Sequence, residues 1–72
     1  SLSSEQQMLQ SLSSQEIKVM RAVLAGADNK QIAGEMFISN TTVSTYKSRL
    51  MEKLGCKSLM ELFSFANRNK IG

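Results

Sequence analysis

Apolar residues recur at three- and four-residue spacing along most of this chain, and each periodic stretch opens on a small hydroxyl or acidic residue. Ser13-x-x-Glu16 is a capping box, in which the Ser oxygen accepts from a free helix N–H while Glu reaches back. Behind it, Ile17, Val19, Met20, Val23 and Leu24 form one broad apolar face, and Gly26 supplies the residue that closes such a helix. The pattern predicts a first helix over 14–25. A weaker signal, Asp28-x-x-Gln31, opens a short second helix over 29–36 with Ile32, Ala33 and Met36 inward. Phe37-Ile38 makes an apolar turn, Ser39 caps a third helix over 40–54, and Gly55 ends it. Another capping box, Ser58-x-x-Glu61, starts a fourth helix over 59–69. In that last helix Leu59, Leu62, Phe63 and Ala66 make the inward stripe, with Met60 and Phe65 off it.

The chain lacks Pro and scatters its β-branched residues, so the expected fold is all-α: a compact four-helix bundle in one domain over 12–72. Residues 1–10 are polar and read as a linker or a frayed helix. They have neither the basic start nor the apolar core of a signal peptide. No apolar run reaches the length of a membrane span. The absence of His, of a cofactor loop and of a nucleophile–base pair argues against an enzyme and against any cofactor or metal. The single Cys56 reads as a small apolar residue, with a redox-sensing thiol as the other reading.

The second and third helices carry the functional signal. A helix-turn-helix needs apolar residues in the angle between its helices and a small residue where they approach. Over 29–48, Ile32, Met36, Ile38, Val43 and Tyr46 fill the expected elbow, and Ala33 is the small residue at the crossing. Phe37 departs from the pattern, since many such turns place Gly there, and it predicts a wider or differently closed turn.

On a helical wheel with Val43 inward, Leu50 and Leu54 point the same way, flanked by Tyr46 and Lys47. The opposite side presents Thr41, Ser44, Thr45, Ser48 and Glu52, with Arg49 close by. A merely solvated helix would carry longer Glu, Lys and Gln there, because they are better helix formers. Short hydroxyls let a backbone approach base edges, and they bond to phosphates as readily as to bases. Net charge is +3, and Lys47, Arg49, Lys53 and Lys57 lie between Ser39 and Ser58 against only Glu52. Such clustering is the footprint of a phosphate-binding surface. By reach, Ser44, Thr45, Ser48 and Arg49 are the base-reading candidates. Thr41, Thr42, Lys47 and Lys53 are placed for phosphates, as are Asn29 and Lys30 with help from the second helix's N-terminal dipole. The expected function is sequence-specific binding of double-stranded DNA, with the helix over 40–54 in the major groove. A helical interaction module using this basic face on an acidic protein is the alternative.

Four stretches together resemble the LuxR-type helix-turn-helix. They are Leu12-Ser13-x-x-Glu16, Gly26-x-x-Asn29-Lys30-x-Ile32-Ala33, Phe37-Ile38-Ser39-x-x-Thr42-Val43 and Lys53-Leu54-Gly55. More narrowly, the chain is similar to the output domain of NarL/FixJ-class response regulators. The segments over 44–50 and 57–59, with Ala66-x-Arg68-Asn69, are similar to the BvgA/EvgA branch. The resemblance implies a two-component transcription factor whose receiver domain precedes residues 1–11 as linker. It also implies an upstream sensor kinase acting through that receiver, RNA polymerase as a partner, and a cytoplasmic, nucleoid-associated location. Paired half-sites bound by a homodimer through the fourth helix are implied as well, for which Met60, Phe63, Ser64 and Asn67 are the candidate contacts. The family often has Lys at the positions of Ser44 and Ser48 and His at that of Tyr46, so its Lys–guanine contact does not carry over.

Overall fold

The structure is a computed structural model that describes residues 2–71. Five α-helices and no strand are present among them: α1 (Ser4–Gln10), α2 (Ser14–Leu24), α3 (Asn29–Met36), α4 (Asn40–Lys53) and α5 (Leu59–Arg68). The all-α class holds, and α2 to α5 follow the four predicted helices within about a residue. The difference is α1. Its signal is present in the sequence as Ser3-x-x-Gln6, where Ser3 Oγ accepts from Gln6 N and Gln6 Oε1 accepts from Ser3 N. Residues 4–10 thus take the helical alternative of the expected linker or frayed helix. This helix is held to the body by Glu5, which takes Arg68 Nη2 at 2.7 Å and Asn69 Nδ2 at 2.8 Å.

Every helix starts on a side-chain cap: Ser3, Ser13, Asp28, Ser39 and Ser58 each accept from the N–H three residues on. These caps satisfy donors that a helix start otherwise leaves free. At the other ends, α2 to α5 close alike. A backbone N–H reaches back five residues, from Ala27 to Ala22, Ile38 to Ala33, Cys56 to Met51 and Ile71 to Ala66. Each such wrap needs one left-handed residue, and these are Gly26, Phe37, Gly55 and Lys70. Glycine accepts that conformation freely. Phe37, at φ 57° and ψ 44°, does not, and its backbone carries a cost of about 1–2 kcal/mol. The elbow is thus closed as a glycine would close it. It is neither wider nor differently closed, contrary to what Phe37 suggests in the sequence.

The core is built on α4, against which both α2 and α3 pack. Val19, Met20 and Val23 of α2, Ile32 and Ala33 of α3, and Val43, Leu50 and Leu54 from α4 and its end are buried together. α5 adds Leu62, Phe65 and Ala66. This corrects the expected stripe of that helix. Phe65 is inside, whereas Leu59 and Phe63 are 44% and 46% exposed. Both stripes share Leu62 and Ala66, so spacing alone fits either, yet residues 63 and 65 lie about 200° apart and cannot both face inward.

One charged group lies inside. Glu16 is 2% exposed, and its Oε1 accepts from Ser13 N at 2.8 Å and from Lys53 Nζ at 2.7 Å. The same ammonium donates to Ser11 O at 3.2 Å. The Lys53 ammonium, with the Ser13 backbone bond, holds the Glu16 carboxyl below its ordinary value. This ion pair ties the start of α2 to the end of α4 and so fixes how the exposed face of α4 is presented.

Candidate nucleic-acid interface

The elbow forms because α3 is only eight residues long and its apolar side must meet α4 at once. Ile32 and Val43 are fully buried across the angle, and Ala33 is buried with them. Met36, Ile38 and Tyr46 are half-buried around it. With its inner side fixed, α4 turns Thr41, Ser44, Thr45, Ser48, Arg49 and Glu52 outward, and all are exposed.

Four polar side chains of α4 are already engaged. Asn29, the first residue of α3, donates from Nδ2 to Ser44 Oγ at 3.0 Å. It also accepts at Oδ1 from Lys47 Nζ at 2.9 Å. One amide thereby spans the two helices and steers a hydroxyl and an ammonium of α4. Thr45 Oγ1 donates to Thr41 O at 3.1 Å, which leaves its oxygen lone pairs free to accept. Thr42 shares a 2.9 Å hydroxyl contact with Ser39, beside the cap bond from Thr42 N to Ser39 Oγ at 3.1 Å. Ser48 and Arg49 are exposed and have no side-chain partner among the described residues. Asn29, Ser44, Lys47 and Ser48 rim a shallow hollow of about 260 Å³ floored by Met51 and Leu59.

Of the residues expected at phosphates, Thr41, Thr42 and Lys47 lie on α4, Asn29 is bonded to it, and Lys30 follows Asn29 on α3 and is exposed. Lys53 differs, because its ammonium is occupied by buried Glu16 and by a backbone carbonyl. The dipole expected to help at α3 is also partly met from within. The Asp28 carboxylate caps that terminus, 2.8 Å from Gln31 N, and places a negative charge there. Positive potential at that end therefore comes from Lys30 and Lys47. The Asn29 bridge itself was not apparent from spacing, since its partners lie 15 and 18 residues away.

Elsewhere, Met60, Phe63, Ser64 and Asn67 of α5 are all exposed. At i, i+3, i+4 and i+7 they share one side of the helix, opposite the buried stripe. Cys56 is half-buried at a cleft between α1 and α5, and burial pushes its thiol above the ordinary value. A reactive cysteine needs the opposite shift. Among the described residues no cluster of potential metal ligands occurs, and no helix is long and apolar enough to cross a membrane.

A short helix leading by a tight elbow into a longer one with an exposed hydroxyl face is the geometry of a helix-turn-helix domain. Residues 10–66 match the bacterial regulatory proteins of the luxR family (GerE), and the chain belongs to that family. It is 72% identical over 72 residues to the DNA-binding transcriptional activator EvgA of Escherichia coli (strain K12), covering all of this chain and 35% of that protein. To the virulence factors putative positive transcription regulator BvgA of Bordetella pertussis it is 46% identical over 68 residues, 94% of this chain and 32% of the other. Two solved structures superpose closely. The response regulator StyR gives a TM-score of 0.86 at 34% identity, and full-length FixJ from B. japonicum gives 0.82 at 39%. Each match covers 89% of this chain and 32% of the solved one. The chain thus spans about a third of the length of these relatives.

Proposed function

We propose that this chain is the DNA-binding output domain of a transcription-controlling response regulator, reading double-stranded DNA with α4 in the major groove. The observation that carries the reading is the strip of exposed short hydroxyls on α4, steered by Asn29 and bordered by cations. In this reading Ser44, Thr45, Ser48 and Arg49 meet base edges. Asn29, Lys30, Thr41, Thr42 and Lys47 hold the flanking backbone, where contacts fix register without carrying sequence information. Lys53 is left out of that set, because its ammonium completes a buried carboxylate. The names of EvgA and BvgA support transcription control, and that of StyR, a response regulator, supports a receiver domain ahead of residues 1–11.

The larger protein then takes its signal from a sensor kinase through that receiver, acts on RNA polymerase, and works at the nucleoid in the cytoplasm. On DNA two copies occupy paired half-sites, meeting through Met60, Phe63, Ser64 and Asn67. Selection of bound duplexes from a random pool tests the reading. It predicts one enriched motif, present twice at fixed spacing. A pool that stays random after repeated rounds contradicts it.

A further inference from the structure

Among the large hydrophobic side chains of the described residues Phe37 is the most exposed, at 93%, and its backbone takes a conformation that favours glycine. Glycine would close the elbow without strain. A strained backbone that presents a bare aromatic ring is a departure from what stability alone selects, and such departures concentrate at functional positions. The position narrows what the ring meets. Phe37 stands two residues ahead of Ser39, the cap of α4, so its Cα lies within about 8 Å of the end of that helix. From there the exposed face runs through Thr41 to Ser44, Thr45 and Ser48. The base-reading candidates occupy the second turn onward, and Thr41 and Thr42 precede them at the groove wall. A ring ahead of both lies outside the groove, against the backbone of the duplex.

We propose that Phe37 is a DNA-positioning residue whose ring packs on the deoxyribose of a backbone nucleotide beside the N-terminus of α4. This rests on the DNA-binding reading above and adds an apolar, sequence-independent contact to it. The chemistry sets it apart from the cationic contacts: a ring that covers a sugar displaces water but releases no counterion.

The test measures affinity of the 72-residue chain for its selected duplex and for scrambled duplexes across a salt series, for the native chain, Phe37→Gly and Phe37→Tyr. Phe37→Gly keeps the left-handed turn, so it is expected to raise Tm by about 4 °C or more while weakening binding. The expected loss is about 3- to 10-fold on every duplex with an unchanged salt slope. Phe37→Tyr keeps the ring and is expected to restore affinity. Undiminished affinity in Phe37→Gly overturns the proposal, as does a loss confined to duplexes carrying thymine at one position, which would mark a base contact. If the native chain itself binds no duplex, the DNA-binding reading fails first, an outcome distinct from native binding that Phe37→Gly leaves intact.

Discussion

Asn29 Oδ1 accepts from Lys47 Nζ at 2.9 Å across the elbow, so the first residue of α3 sets the position of a cation about two turns into α4. The same amide donates to Ser44 at 3.0 Å. Replacing Asn29 with Ala releases both groups while removing little buried surface. Stability is expected to change by no more than about 0.5 kcal/mol. Affinity for the selected duplex is expected to fall about 3- to 10-fold, because two contacts must then be ordered on binding. Urea unfolding beside a binding titration checks the pair of outcomes.

Lys47 and the hydroxyl residues are expected to fail in different ways. Lys47→Ala weakens binding to every sequence and lowers the slope of log K against log salt by about one unit, since one phosphate contact is lost. Ser48→Ala or Thr45→Ala instead changes which base is preferred at one position. Affinities over a panel of single-base variants at two or more salt concentrations separate the two patterns. Equal loss on all duplexes from all three changes contradicts the division of roles.

Acid should weaken the fold through Glu16. Its folded pKa lies below the ordinary value of 4.5, with Lys53 the first cause and the Ser13 backbone bond the second. A depressed carboxylate contributes stability that is present above the unfolded value and is lost as pH falls through the folded one. The urea midpoint is therefore expected to decline below about pH 4.5, and less steeply in Glu16→Gln. At neutral pH, Lys53→Met leaves the buried carboxylate without its cation and is expected to cost about 2 kcal/mol. Unchanged DNA affinity of the folded Lys53→Met variant is expected too, because that ammonium is engaged by Glu16 and by Ser11 O.

Glu5 ties α1 to the body beside Leu9, which packs against the core. The Arg68 guanidinium and the Asn69 amide hold its carboxyl below the ordinary value, and Arg68 also lies 5.8 Å from the centre of the Phe65 ring. Exposed pairs of this kind contribute little to global stability. In Glu5→Ala the amides of Ser4–Gln10 are expected to lose protection from hydrogen exchange, while those of α2, α3 and α4 keep theirs. Equal loss across all helices would mean that α1 is part of the cooperative core.

The α5 stripe yields a stoichiometry. A duplex with two half-sites is expected to carry two protomers in analytical ultracentrifugation, and Phe63→Asp to reduce cooperativity without changing binding to a single half-site. The free domain should stay monomeric at micromolar concentration, since stable interfaces bury over about 1,200 Å². One protomer per two-site duplex at every concentration contradicts the patch.

What the sequence made legible was local. Caps at Ser13, Asp28, Ser39 and Ser58, with glycines at 26 and 55, marked four helices because each signal lies within a few residues of what it controls. The outward strip on α4 followed from its period alone. Two features depend on distant partners that spacing does not reveal, and a third on an ambiguity of helical period. Lys53 looked like a phosphate ligand until Glu16, 37 residues away, was seen beneath it. Residues 1–10 read as linker or frayed helix, and the bonds from Arg68 and Asn69 to Glu5 form only in the folded chain. Phe63 and Phe65 exchanged places because helical spacing accommodates either. Phe37 is a fourth case of another kind, in which a residue adopts the backbone of the glycine it replaces.

A salt-resolved titration of the native chain against its selected duplex and a scrambled one of equal length probes the central claim most directly. The selected duplex is expected to bind at least about 10³-fold tighter, with both affinities falling steeply as salt rises. Equally weak binding of the two duplexes at low ionic strength would contradict it.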